Sequence, residues 1–196
     1  MQPPKPSNEE VRAYLSLWDN LENYRLQENA LDELFFNTYP LNNDINHILI
    51  KVASLNDFYS THILSVFAVA KHIYELDIDS RLSNGDVSLV NDIAQCEING
   101  KDINFYSFAT KYCSHHKPLE YPIYDWYVDK VVHYFNGKDG FEFKNANLRE
   151  YRNFKDVLLA FKLHYNLDCN LKDLDRYLWQ LGKDYFPKKY KQVKKR

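Results

Sequence analysis

One carboxylate in this chain is placed for chemistry. Asp125 follows a short approach, Tyr121-Pro122-Ile123-Tyr124, and opens the apolar-faced segment Trp126–Phe135. An acid there can cap the helix behind it by accepting a backbone N–H. It also suits an active site, where a fixed negative charge stabilises a cationic sugar or activates a nucleophile. The two roles are compatible. Lys111 lies on the preceding apolar-faced segment and reads either as an amine nucleophile or as a solvated, snorkelling side chain. Tyr124, Trp126 and Tyr127 offer stacking surface beside the acid. His115, His116 and Lys117 close the segment before the loop, where they suit the terminal carbonyls of a helix or a phosphate.

Cys113-Ser114-His115-His116 invites a metal reading. Adjacent histidines on a helix point about 100° apart, and no second ligand pair follows at zinc spacing. Neither a metal nor a cofactor is therefore expected. Cys96, Cys113 and Cys169 are far apart and odd in number, as in reduced thiols of a cytoplasmic protein.

The elements that must carry these residues are helical. Ser7 with Glu10 forms a capping box, followed by Val11, Tyr14, Leu15, Trp18 and Leu21 at helical spacing. Further helices are predicted over Leu26–Phe36, from Asn43 or Asp44 through Val52, over Thr61–Leu76, Val87–Cys96, Phe105–His115, Trp126–Phe135, Tyr151–His164 and Leu171–Leu181. Asn84-Gly85-Asp86 and Asn99-Gly100-Lys101 read as turns. Phe135–Lys144 is the best loop or hairpin candidate. Trp179, on the last helix, reads as core packing.

The 196 residues, 45% hydrophobic, suffice for one compact helical domain, or two helical lobes with a cleft. Residues 1–6 form a loose leader and 187–196 a basic tail, within a single domain 1–196. Only 5 Gly and 7 Pro argue against a turn-rich β protein. The net charge of −2 gives no global drive toward nucleic acid. The end of the chain, PKKYKQVKKR, is different: Lys188, Lys189 and the basic residues after them read as a phosphate-binding arm or a solvated terminus. No signal-peptide core or membrane-length apolar run is evident.

Two stretches resemble the helix-hairpin-helix DNA glycosylases of the endonuclease III type, in matching order. The first is Ile45–Tyr59, whose Ala53-Ser54-Leu55-Asn56 is similar to the family's DNA-facing turn. Asn56 falls where the family places the side chain that fills the gap left by an extruded base. The second is Ser107–Val128, where Asp125 falls on the catalytic aspartate. The family's hairpin has a Gly-x-Gly turn that holds a phosphate on its backbone N–H groups. Here the matching stretch is Asp102–Tyr106, without glycine. The Schiff-base lysine of bifunctional members corresponds to Ser107, and Lys111 stands one helical turn later. The resemblance implies an all-α fold, DNA as partner and monofunctional base excision centred on Asp125. The other reading is a non-enzymatic nucleic-acid-binding or helical interaction protein on the same scaffold.

Overall fold

The computed structural model describes residues 2–141 and 147–188. Among these the chain forms α1 (Asn8–Trp18), α2 (Glu22–Asp32), a π-helical continuation (Glu33–Thr38), α3 (Ile45–Tyr59), α4 (Val66–Glu75), α5 (Asp79–Ser83), α6 (Ser88–Ala94), β1 (Gln95–Ile98), β2 (Lys101–Asn104), α7 (Tyr106–His116), α8 (Trp126–Asp139), α9 (Tyr151–His164) and α10 (Leu171–Tyr185). The protein is all-α, and strand is confined, among the described residues, to one antiparallel ribbon of β1 and β2.

Side-chain caps set the starts of several helices. Ser7 accepts the Glu10 N–H at 3.2 Å, Asp44 the Asn46 N–H at 2.7 Å, and Asn170 the Asp173 N–H at 2.9 Å. Three expectations are corrected. Thr61–Leu76 is not one helix. Asn56 accepts from Thr61 Oγ1 at 2.8 Å and Ile63 N–H at 2.9 Å, and donates to Ile63 O at 3.1 Å. That network competes with helical hydrogen bonding, bends the chain through left-handed Ser60 and His62, and delays the helix to Val66. Val87–Cys96 ends early, because Gln95 and Cys96 enter β1. Asn99 and Gly100, at φ 52° and 71°, supply the two left-handed residues of a tight hairpin turn. The expected loop or hairpin at Phe135–Lys144 is instead the end of α8, which runs to Asp139 and stops at left-handed Gly140; residues 142–146 lie outside the described set.

One continuous core extends from Val11 on α1 to Leu181 on α10. The buried tyrosines pin loops to it through their hydroxyls. Tyr151 donates to Pro122 O at 2.9 Å and Tyr106 to Leu148 O at 2.8 Å. A polar knot ties α3 to α7. Lys51 Nζ, fully buried, donates to Asn42 Oδ1, Leu41 O and Tyr39 O, and Tyr112 donates to the same Asn42 oxygen at 2.6 Å. Asn42 in turn donates to Asp79, so the knot's hydrogen-bonding capacity is largely used, which favours one arrangement of the core. Where α10 crosses α8, Gly182 lies against Tyr127. A Cβ on that glycine would come within 2.6 Å of the Tyr127 Cβ, so only glycine allows this approach.

Candidate active site

The approach to α8 is fixed at every backbone polar group that faces α7. Tyr121, Pro122 and Ile123 are buried. Tyr124 N–H donates to Thr110 Oγ1 at 3.2 Å, and Tyr124 O accepts from Ser107 Oγ at 3.3 Å and from Lys111 Nζ at 3.4 Å. Asp125 is thereby held in extended backbone (φ −134°, ψ 155°) and caps α8 by accepting the Tyr127 N–H at 2.8 Å. The expected cap is present. It uses one carboxylate oxygen and leaves the side chain on the wall of a cavity.

That cavity, of about 270 Å³, is lined by α1, α2 and α10 together with the end of α3, the middle of α7 and the approach to α8. Trp18, Tyr24, Tyr59 and Trp179 supply aromatic wall. Glu28, Lys111, Asp125, Lys172, Asp175 and Arg176 supply charge. A second cavity, about 420 Å³ and more polar, adjoins the first and includes Ser107, Tyr124, Trp126, Arg149 and Lys188 in its lining. Tyr59, Ser60, Lys111 and Asp125 line both.

Lys111 is 4% exposed, so it is not the snorkelling lysine that its sequence position also allowed. Its Nζ donates to Ser107 Oγ at 2.6 Å and to Ser107 O at 3.2 Å, and sits 5.3 Å from the centre of the Tyr59 ring. Among the described residues, no carboxylate pairs with it within salt-bridge distance. Burial therefore lowers its pKa, although Asp125 and Asp175 act to raise it. The Ser107 hydroxyl, one turn earlier, binds the amine rather than replacing it.

The three carboxylates in this lining are held differently. Glu28 receives Lys172 Nζ and Arg176 at 2.6 Å each. Burial would push its pKa up, but the two cations outweigh it and keep it low. Asp125 is tethered by the Tyr127 N–H. Among the described residues, Asp175 has no hydrogen-bond or ion-pair partner. Desolvation, with Asp125 and Glu28 adding repulsion, pushes its pKa up to about 7 against the pull of Lys172 and Lys111.

The remaining sequence candidates divide. Tyr124, Trp126 and Lys188 do gather at the second cavity, with Lys188 Nζ 5.4 Å from the centre of the Trp126 ring. Asn56 does not reach a cavity mouth. Its amide is consumed in shaping residues 60–63, so it positions the loop that carries Thr61 and His62 to the groove. His115 and His116 are corrected as phosphate contacts. His115 is 2% exposed and meets the Tyr59 hydroxyl through Nε2 at 3.0 Å. His116 packs on Phe35 beside Lys51. Burial lowers the pKa of both, so they stay neutral, His115 in the core and His116 half-buried at its edge. Lys117 is exposed at the end of α7, away from both linings. Lys189 lies outside the described residues. No cluster of metal-ligating side chains occurs among the described residues.

Sequence reasoning missed the α10 contribution. Trp179, read as core packing, does pack against the core and also forms cavity wall. Asp175 and Trp179 stand four apart, as do Lys172 and Arg176. Charges at that spacing on a helix that also packs on α1 and α8 are the signal that was available.

The architecture and the site define an all-helical protein with an aromatic-walled, charge-lined cavity opening beside a second groove. Residues 10–120 match the model of the HI_0787_N family, an N-terminal domain. A Haemophilus influenzae protein described as uncharacterized is 49% identical over 146 residues, covering 74% of this chain and 70% of that one. The chain belongs to this family. No solved structure matches it.

Proposed function

We propose that this protein binds DNA and excises a damaged base by monofunctional N-glycosylase chemistry. One observation carries the reading: Lys111 and Asp125 line both the aromatic cavity and the adjoining groove. An enzyme acting on an extruded base needs a pocket for the base and a separate track for the strand. The bond to be broken lies at the neck between them, and that is where these two side chains stand. Trp18, Tyr24 and Trp179 stack on the base. Arg149 and Lys188, with the Trp126 ring, follow the backbone.

The chemistry follows from the charge. As the C1′–N bond lengthens, positive charge grows on the sugar, and the Asp125 carboxylate stabilises it. The electron pair of that bond leaves with the base. Water adds at C1′ and gives up its proton. The β-ribbon of residues 95–104 replaces the glycine turn of the resembling family, so phosphate holding falls to the basic residues of the groove.

A second reading rests on the burial of Lys111. An amine with a lowered pKa is more often neutral, hence nucleophilic, and would attack C1′ in place of water. The two readings separate in one assay. Oligonucleotides carrying oxidised, alkylated and deaminated bases are incubated with the full chain, then treated with alkali or borohydride. Strand cleavage only after alkali is the expected result. A covalent complex trapped by borohydride moves the nucleophile to Lys111. DNA binding without cleavage of any substrate leaves a non-enzymatic nucleic-acid-binding protein.

A further inference from the structure

Resting on that reading, we propose that Asp175 is the base-facing acid of the cavity: its protonated carboxyl hydrogen-bonds an acceptor atom on the nucleobase and hands over the proton as the glycosidic bond breaks. Three features place it there. It lines the cavity together with Trp18, Tyr24 and Trp179, the aromatic wall against which a base would pack. Among the described residues it is the carboxylate of that lining with no hydrogen bond or ion pair, since Glu28 is held by Lys172 and Arg176 and Asp125 by the Tyr127 N–H. And α10 is locked against α8 at Gly182, which fixes the distance between Asp175 and the Asp125 side of the cavity.

A desolvated carboxyl without a hydrogen-bond partner is costly to ionise and stays protonated to higher pH than usual, here to about 7. The groups that act on it come from several elements. Lys172 on the same helix and Lys111 on α7 favour the anion. Glu28 on α2 and Asp125 at the start of α8 oppose it. Arg176 is engaged by Glu28, and the buried Tyr59 hydroxyl stays protonated. In the reaction the C1′–N bond breaks and its electrons move into the base. The Asp175 proton goes to the base's ring nitrogen or carbonyl oxygen, so the base leaves neutral. The Asp175 carboxylate that remains is stabilised by Lys172 and Lys111. The proton released by the attacking water passes to solvent, and Asp175 is reprotonated from solvent. This division gives the two acids separate tasks, Asp125 at the sugar and Asp175 at the leaving group.

The test uses the full chain and two readouts. Free adenine, hypoxanthine and uracil are titrated in while tryptophan emission is followed at about pH 5.5 and about pH 8.5, on either side of neutrality. Single-turnover excision from whichever damaged oligonucleotide is processed is followed over the same range. The wild-type chain should bind a base roughly 10-fold more weakly at the higher pH, and excision should fall as pH rises through 7. Asp175→Asn should bind bases with no pH dependence and excise roughly 100-fold more slowly, with a flat profile. Asp175→Glu should restore the slope. Excision by Asp175→Asn with an unchanged profile overturns the role of Asp175 and leaves the glycosylase reading standing. Base binding that depends on pH only while Asp175 is present, without excision of any oligonucleotide, supports the base-facing acid and removes the glycosylase reading. No quenching by any base at either pH overturns the proposal.

Discussion

Asp125 performs two tasks with one side chain, and substitution separates them. Asparagine caps a helix as well as aspartate does but carries no charge. Asp125→Asn should therefore change folding stability by less than about 1 kcal/mol, while excision falls by about two orders of magnitude. Asp125→Ala should lose the cap as well, at about 1 kcal/mol, measurable by urea unfolding. Asp175 makes a different prediction, because its pKa is raised rather than ordinary. An unfolded aspartate titrates near about 3.9, whereas the folded one titrates at about 7. Between those values the folded chain keeps a proton that the unfolded chain releases. Its contribution to stability therefore declines as pH rises from about 4 to about 7. Asp175→Asn stays neutral and should abolish that decline. The variant should be more stable than the wild type at about pH 8 and nearly equal to it at about pH 4, by paired urea titrations. A site residue that costs stability where it is ionised is one whose presence the fold alone does not explain.

At the scale of elements, the site depends on how closely α10 approaches α8. The helix crossing closes on Gly182, whose missing side chain makes room for Tyr127. The nearest obstacles to an added methyl are the Tyr127 Cβ and its backbone, which have little freedom to move. Gly182→Ala should therefore destabilise the chain by about 1–3 kcal/mol through overpacking, despite alanine's better helix propensity. A thermal melt checks the sign: a higher melting temperature would mean that the helices separate without cost. The shift should also disturb the cavity, since Asp175 and Trp179 ride on the same helix as Gly182, and Asp125 on the other. The loop after α3 makes the complementary point. Asn56 is polar, near a helix end and close to the groove, yet three hydrogen bonds to residues 61 and 63 make it scaffold.

For the whole molecule, charge placement matters more than net charge. The sum is −2, yet Arg149 and Lys188 stand at the groove, and Lys188 rests over the Trp126 and Tyr127 rings where the basic tail begins. Residues 189–196 add further cations just beyond that point. Removing them should weaken binding to duplex DNA and flatten its salt dependence, because each phosphate contact contributes about one unit to the log–log slope. The melting temperature should not move, since the segment has little apolar surface to bury. Filter binding across a salt series reads the first effect and calorimetry the second.

The helical class, the caps at Ser7 and Asp125, a cap at either Asn43 or Asp44, the Asn99-Gly100 turn and the candidacy of Asp125 and Lys111 were legible in the residues alone. These follow from short-range physics: the apolar repeat at 3.6 residues, an acid at a helix start, two residues able to adopt positive φ. The tertiary structure decided the rest. A snorkelling lysine and a buried one have the same local sequence, and only the packing of Tyr59 and the Tyr124 carbonyl around Lys111 tells them apart. His115 and His116 look like a helix end open to phosphate until Phe35, Tyr59 and Lys51 close over them. Asp175 carries no local mark beyond its spacing on α10. Its raised pKa arises first from desolvation, to which Glu28 and Asp125, brought to α10 by α2 and the start of α8, add repulsion; desolvation is a property of everything packed about a group rather than of its neighbours in the chain.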